Sequence, residues 1–306
     1  MAKIYGLLLL VMALWGINLS ALAILVQHID PITLTAVRIF TAGVAVLVIT
    51  KTIGIFRFPT KTEWKTIGLI TVFNVVLHHS FLAIGLTKTA GVNAGIILGA
   101  APLVTMVLSV LFLHYRVSNI RVIGFLLGFV GILITSIAGT DGIAAVSTGD
   151  LFIFLCMIAQ AISFILIGRL TPSFDPRLLT GYMLVIGSVF IFVASIAVEK
   201  NVSQVTRLLE PKLGFAFLFS ALCATAFGHM VYNFAIRKVG PAETTIFVNL
   251  NTLFAILGAA VILKEPIMKN HFIGLVFIIT GVFLGSGSLE HLLRKRHQQK
   301  RIHFEK

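Results

Sequence analysis

Ten long apolar stretches follow one another with almost no chain between them, and this spacing restricts the protein to a membrane. They run over about residues 4–26, 32–50, 64–86, 90–113, 119–138, 150–168, 178–198, 214–236, 242–263 and 270–288. About 20 mainly apolar residues in a helix match the hydrocarbon thickness of a bilayer, and a helix satisfies its own backbone where no water can. The short alternating units of a membrane barrel are not seen. Turn signals separate the stretches: Asp30-Pro31, Phe58-Pro59-Thr60, Asp141-Gly142, Pro172, Asp175-Pro176, Pro211 and Gly240-Pro241. Only 11% of the 306 residues are charged, too few to clothe soluble domains. The expected fold is an all-α integral membrane protein of ten transmembrane helices.

The net charge of +13 would suggest nucleic acid in a soluble protein. Here the cations sit in short loops and in a tail, Arg294-Lys295-Arg296 with Lys300 and Arg301, and no folded basic domain surrounds them. They read instead as a topology signal, with attraction to anionic lipid headgroups as a compatible role. With a cytoplasmic N-terminus, 17 of the 24 lysines and arginines fall on the cytoplasmic side, and Arg38 alone lies inside a span. Both termini are therefore expected in the cytosol. The first stretch runs on too far, past Trp15 to about Val26, for a cleaved signal peptide. With no transit peptide ahead of it, a cell membrane is the expected location. Cys156 and Cys223 lie in apolar stretches without partners at metal spacing, and they read as small packing residues.

The chain also repeats itself. An offset of 150 residues places Gly124 on Gly274, Gly131 on Gly281 and His79 on His229, and near the start of each half Asp30-Pro31 matches Asp175-Pro176 at an offset of 145. The expected domains are a first five-helix repeat over 1–140, a second over 141–289, and a basic cytoplasmic tail over 290–306. Five is odd, so the halves must enter the membrane with opposite orientation. Inverted repeats are a hallmark of transporters, in which two halves rock about a site near the midplane.

Polar groups inside lipid are costly and call for a partner or a cavity. Helical spacing sets Asn74 and His78 on one face of the third helix with His79 beside them, and Cys156, Gln160 and Ser163 on one stripe of the sixth. Thr225, His229 and Tyr232 share a stripe of the eighth helix, Thr245, Asn249 and Thr252 one of the ninth, and Trp15 and Asn18 lie three apart in the first. Each taken singly is accounted for by interhelical hydrogen bonding. Their joint distribution points to a pathway with Trp15, Asn18, Asn74, His79, Gln160, His229, Tyr232 and Asn249 as substrate-binding candidates. An imidazole donates, accepts and titrates near neutrality, so His79 and His229 admit a proton-coupled step or simple hydrogen bonding. No carboxylate lies in mid-span to complete a metal site, and neither metal nor cofactor is expected. Arg38 either attracts a substrate carboxylate or bonds helix carbonyls in its own half, the second being favoured. Glu243 suits the first turn of the ninth helix and is a secondary gating candidate. Gly91, Gly95 and Gly99 permit close approach of the fourth helix, and Pro102 should kink it, so Gly95 and Pro102 serve packing, a hinge, or both.

The order of several motifs resembles the EamA-type members of the drug/metabolite transporter superfamily over about residues 4–288. They are Leu14-Trp15-Gly16-Ile17-Asn18, Asp30-Pro31 leading to Arg38, Ala94 with Pro102, Gly149-Asp150, and Tyr232-Asn233-Phe234-Ala235-Ile236-Arg237. The resemblance implies a central cavity lined by the first, third and fourth helices and their counterparts, and export of amino acids or related metabolites. The family's Gly-Glu after the fourth helix of each half is replaced here by His114-Tyr115 and Lys264-Glu265. No nucleotide-binding loop is present, which points to a secondary carrier of a small polar molecule. The alternatives are a passive channel or a structural membrane partner and, lacking a mid-span aspartate or nucleophile motif, more remotely an intramembrane enzyme.

Overall fold

The computed structural model describes residues 2–86, 88–89, 91–137, 146–169, 174–199, 201–264 and 266–290. Residues 291–306 of the basic tail, Asp141-Gly142, Pro172 and Glu265 lie outside the described residues, as does the expected repeat boundary at 140/141. Every regular element among those described is helical. Nine are long and apolar enough to cross a membrane: α1 (Lys3–Leu25), α2 (Pro31–Thr52), α3 (Lys61–Leu86), α4 (Asn93–Leu113), α5 (Asn119–Ile137), α6 (Thr148–Gly168), α7 (Pro176–Val198), α8 (Pro211–Val239) and α9 (Pro241–Leu263). The last apolar stretch forms a shorter helix, α10 (Lys269–Gly285). Its 17 residues span about 25 Å, the lower limit for a crossing.

Helix boundaries follow from capping chemistry. Four helices open on proline, at Pro31, Pro176, Pro211 and Pro241, where the missing N–H costs nothing. Thr60 with Glu63 and Ser147 with Asp150 form reciprocal capping boxes at α3 and α6. Asp175 caps α7 by accepting from the Arg177 N–H. At α2, Asp30 makes no side-chain cap. Instead Glu199, beyond the end of α7, accepts from the Ile32 and Thr33 amides at 2.6 and 2.7 Å and from the Thr33 hydroxyl. Gly240, at φ 98°, makes the tight α8–α9 turn in a region closed to most side chains.

The helices pair in a regular way. α5 lies along α10 and α2 along α7; α1 packs on α8 and α9, and α6 on α3 and α4. α2 also meets α8, and α7 meets α3. Under the 150-residue offset each of these contacts either maps onto another or onto itself. The α5–α10 contact is a glycine seam. A Cβ on Gly124 would lie 2.3 Å from the Gly285 amide, and one on Gly281 would lie 2.4 Å from the Gly128 amide, so the two backbones nearly touch.

Four helices depart from regular α-geometry, α9 among them with a tight 3-10 turn at Ile246–Val248 and a wide turn at Ala259–Leu263. α3 widens into π-type turns over Val72–Leu77 and α8 over Phe219–Phe227, at matching places just before His79 and His229. α4 is broken at Gly99–Ala100, with Pro102 opening its second piece, which is the kink expected from the proline. α4 and α9 both terminate on a left-handed residue, His114 (φ 51°) and Lys264 (φ 62°).

Candidate functional site

The polar residues of the spans meet near the middle of the bundle, where the wide turns of α3 and α8 face α6, α1 and α2. In α8, Trp15 of α1 donates its indole N–H to the Ala224 carbonyl at 2.8 Å, and its ring packs on His229 and Tyr232, with centroids 5.1 and 5.0 Å away. Gly228 makes this possible, since a Cβ there would sit 2.5 Å from the indole nitrogen. On another side of the same turn, Arg38 of α2 donates to the Thr225 hydroxyl at 2.6 Å, and that hydroxyl donates to the Ser220 carbonyl five residues back. Thr225 therefore faces α2 while His229 and Tyr232 face α1, so the stripe expected from regular spacing is split. A π turn adds a residue to the cycle, which shifts the register of the residues after it. Arg38 also departs from expectation: its bond crosses to α8 rather than to carbonyls of its own half.

The α3 side is built differently. The Asn74 amide donates to the Ser163 hydroxyl of α6 at 2.7 Å, and that hydroxyl donates to the Gln160 carbonyl. His78 Nδ1 lies 3.1 Å from Cys156 Sγ, and the His79 ring meets that of His78 at 4.7 Å, edge to face. His79, His229 and Arg38 lie within electrostatic reach of one another. Cys156 is thus a partner rather than filler, while Cys223 is exposed on the surface of α8.

Burial divides these residues. Trp15, His79, Gln160 and His229 are partly accessible, whereas Asn18, Asn74, His78, Tyr232 and Asn249 are buried. Asn249 is turned toward α5, with its amide 2.3 Å from where a Cβ of Gly128 would be, and none of its side-chain polar atoms has a hydrogen-bond partner. Asn18 likewise leaves its side-chain oxygen unpartnered. Gly95 packs toward Ser136 of α5, which gives it a packing role.

The two ends of the bundle differ around this cluster. At the end where α1 begins and α10 finishes, termed here the terminal end, Phe164, Tyr232, Thr245 and Phe247 are all buried. Phe164 stacks on Tyr232 at 5.2 Å, and Tyr5 on Phe247 at 5.2 Å. Beyond them Arg121 of α5 pairs with Glu243 of α9 and, at 3.0 Å, with Glu290. Tyr115 receives a bond from Arg121 and donates one to Glu243, both at 2.6 Å. Burial, followed by the bond to Glu243, pushes the Tyr115 hydroxyl above its ordinary pKa. Sequence reasoning placed Glu243 in the first turn of α9, where it lies. It missed Arg121, Tyr115 and Glu290, whose only signal was Tyr115 standing where an acidic residue was expected.

At the far end six consecutive residues of α4 (95–100) and six of α9 (251–256) are partly exposed. Six residues cover every face of a helix, so that exposure is not confined to one face. A groove of about 320 Å³ opens there between α1, α9 and the start of α10, lined by Leu19, Ser20, Ala255, Leu263 and His271 among others. A second, of about 280 Å³, lies between α2 and α7. Neither contains the polar cluster. Among the described residues, no three His, Cys, Asp or Glu side chains gather as a metal site would require.

Comparison with known proteins matches this architecture. The model of the EamA-like transporter family matches residues 2–137 and again 147–287. An uncharacterized transporter of Bacillus subtilis, YyaM, is 28% identical over 254 residues, covering 80% of this chain and 81% of its own. An uncharacterized transporter of Archaeoglobus fulgidus is 21% identical, with 90% and 96% covered. One solved crystal structure superposes with a TM-score of 0.77 at 15% identity over 95% of this chain and 99% of the other, a likeness of fold. The paired helices, the buried polar centre and the twofold match lead to one conclusion: this chain belongs to the EamA-like transporter family.

Proposed function

We propose that the protein is a secondary carrier that exports a small polar metabolite, an amino acid or related compound, across the cell membrane by alternating access. In this reading all ten helices cross the bilayer as two inverted five-helix repeats, over 1–140 and 141–289, and both termini and the 290–306 tail lie in the cytosol. The twofold match of the family model and the helix contacts that map onto one another at a 150-residue offset support the repeat. The cation distribution supports the orientation.

The observation that carries the proposal is the asymmetry of access. Partly accessible Trp15, His79, Gln160 and His229 stand at mid-depth, with packed aromatic rings on one side of them and partly exposed helix on the other. A carrier needs such a site, open to one side at a time. His79 and His229, one from each half, are the groups we assign to proton coupling; protons would then be the coupling ion, with no cofactor involved. Pro102 and the broken α4 give the hinge, and Glu243 the gate.

The test is solute uptake into proteoliposomes containing the purified protein, driven by a solute gradient with and without a pH gradient. Saturable, competitor-sensitive flux is expected, weakened when His79 and His229 are both replaced by alanine. Flux that rises linearly with concentration would instead identify a passive channel, and its absence a structural membrane partner.

A further inference from the structure

Arg38 is 7% exposed and sits inside a span, two turns into α2, yet no carboxylate among the described residues pairs with it. Its Nη1 bonds to the Thr225 hydroxyl, a neutral group, and its Nε has no hydrogen-bond partner. A guanidinium removed from water with neither counter-charge nor full hydrogen bonding is expensive to keep. Thr225 lies one turn before His229, whose ring packs on Trp15, so the guanidinium is anchored at the edge of the accessible cluster. His79 and His229 lie in its electrostatic neighbourhood, with His78 beside them, and among the described residues no carboxylate pairs with any of these groups. The whole centre is therefore basic or neutral.

We propose that this centre takes an organic acid, whose carboxylate is the missing counter-ion of Arg38 and whose remaining body rests against Trp15 and His229. The fork of a guanidinium matches a carboxylate in two parallel bonds, and the unpartnered Nε is one half of that fork. Among the described residues the same centre holds no acidic side chain to receive an ammonium. Among metabolites that carry a carboxylate, those without a free amine fit better than amino-acid zwitterions. This assignment rests on the carrier reading for its site and, within the small polar metabolites of that reading, favours a carboxylic acid without a free amine over an amino acid.

Purified native protein in detergent is tested by thermal shift against matched acids and amides: phenylacetate with phenylacetamide, succinate with succinamide, and N-acetylglycine with its amide. Glycine and inorganic phosphate are run alongside. At least one acid is expected to stabilise the protein, with an affinity at least about 10-fold above its amide, because a site left with an unpaired buried polar group rejects the neutral analogue. Arg38→Gln should abolish that preference and Arg38→Lys should weaken it. The acid–amide comparison on the native protein needs no variant, so it stands even if Arg38→Gln fails to fold. Equal shifts for acids and amides, no shift with any acid, or a preference that survives Arg38→Gln would each overturn the assignment. So would a shift with phosphate alone, which would mark an inorganic anion site, or a stronger shift with glycine than with N-acetylglycine. Proteoliposome uptake separates the two proposals. An acid that binds through Arg38 but is never transported defeats the carrier reading alone; saturable transport of amides and acids alike defeats the organic-acid assignment alone.

Discussion

The terminal and far ends of the bundle are built from helices of the same two halves, yet they are tied by different means. At the terminal end, packed rings (Phe164, Tyr232, Phe247) lie beneath a charged knot in which Arg121 is shared between Glu243 and Glu290. At the far end the ties run along the rim. Asp150 receives a bond from Asn93 at 3.0 Å, and Glu199 binds the first amides of α2. Offset by 150 residues, Asn93 stands where Glu243 does and His271 where Arg121 does, so the ion pair between α5 and α9 has no equivalent there. The difference shows that near-identical helix packing can carry different chemistry at its two ends, because a few side chains at helix ends are not repeated.

The largest expected effect tests the packing on which the closed end depends. Gly124→Ala places a Cβ against the Gly285 backbone, which cannot move out of the way as a side chain can. A loss of about 3 kcal/mol is expected, read as a lower melting temperature in detergent; unchanged melting would mean that the seam has slack. Next, Glu243→Gln keeps an acceptor for Tyr115 but removes one of the two charges on Arg121. About 2 kcal/mol should be lost, and hydrogen–deuterium exchange over residues 232–248 should rise while that over 93–100 stays the same. If both segments change together, the two ends are not separately latched. The smallest effect belongs to Gly95→Ala. Its Cβ would meet only the Ser136 side chain, with Oγ at 2.9 Å, and a hydroxyl can rotate aside. Melting within about 0.5 kcal/mol of the native protein is expected, with transport retained; loss of transport without loss of stability would make Gly95 a hinge.

The ten helices were legible because apolar length and proline punctuation are local properties. The four helices that open on proline do so within three residues of the expected starts, and α10 is 17 residues where 270–288 was read. The glycine offsets pointed to α5 and α10 as counterparts, and these helices also pack on each other. The candidate site was legible in membership more than in geometry. Trp15, His229 and Tyr232 come together, but Asn249 turns toward Gly128, a choice set by a neighbouring helix that no spacing within α9 can reveal. The Arg121 knot was hidden for a similar reason. Arg121 sits among the cations that set topology, and only the fold brings it within reach of a residue 122 positions away.

The wide turns of α3 and α8 carry a consequence for how each helix can move. A π turn is an extra residue held in the winding, and it can migrate along the helix by exchanging one carbonyl partner for the next. Each such step rotates the intervening residue by about 100° and advances it by about 1.5 Å, with the two flanking pieces left in place. In α8 a single step would change whether Thr225 meets Arg38, and in α3 it would change which neighbour Asn74 faces. The chain therefore carries, beside His79 and His229, two screws that can alter the lining of the centre without tilting a whole helix.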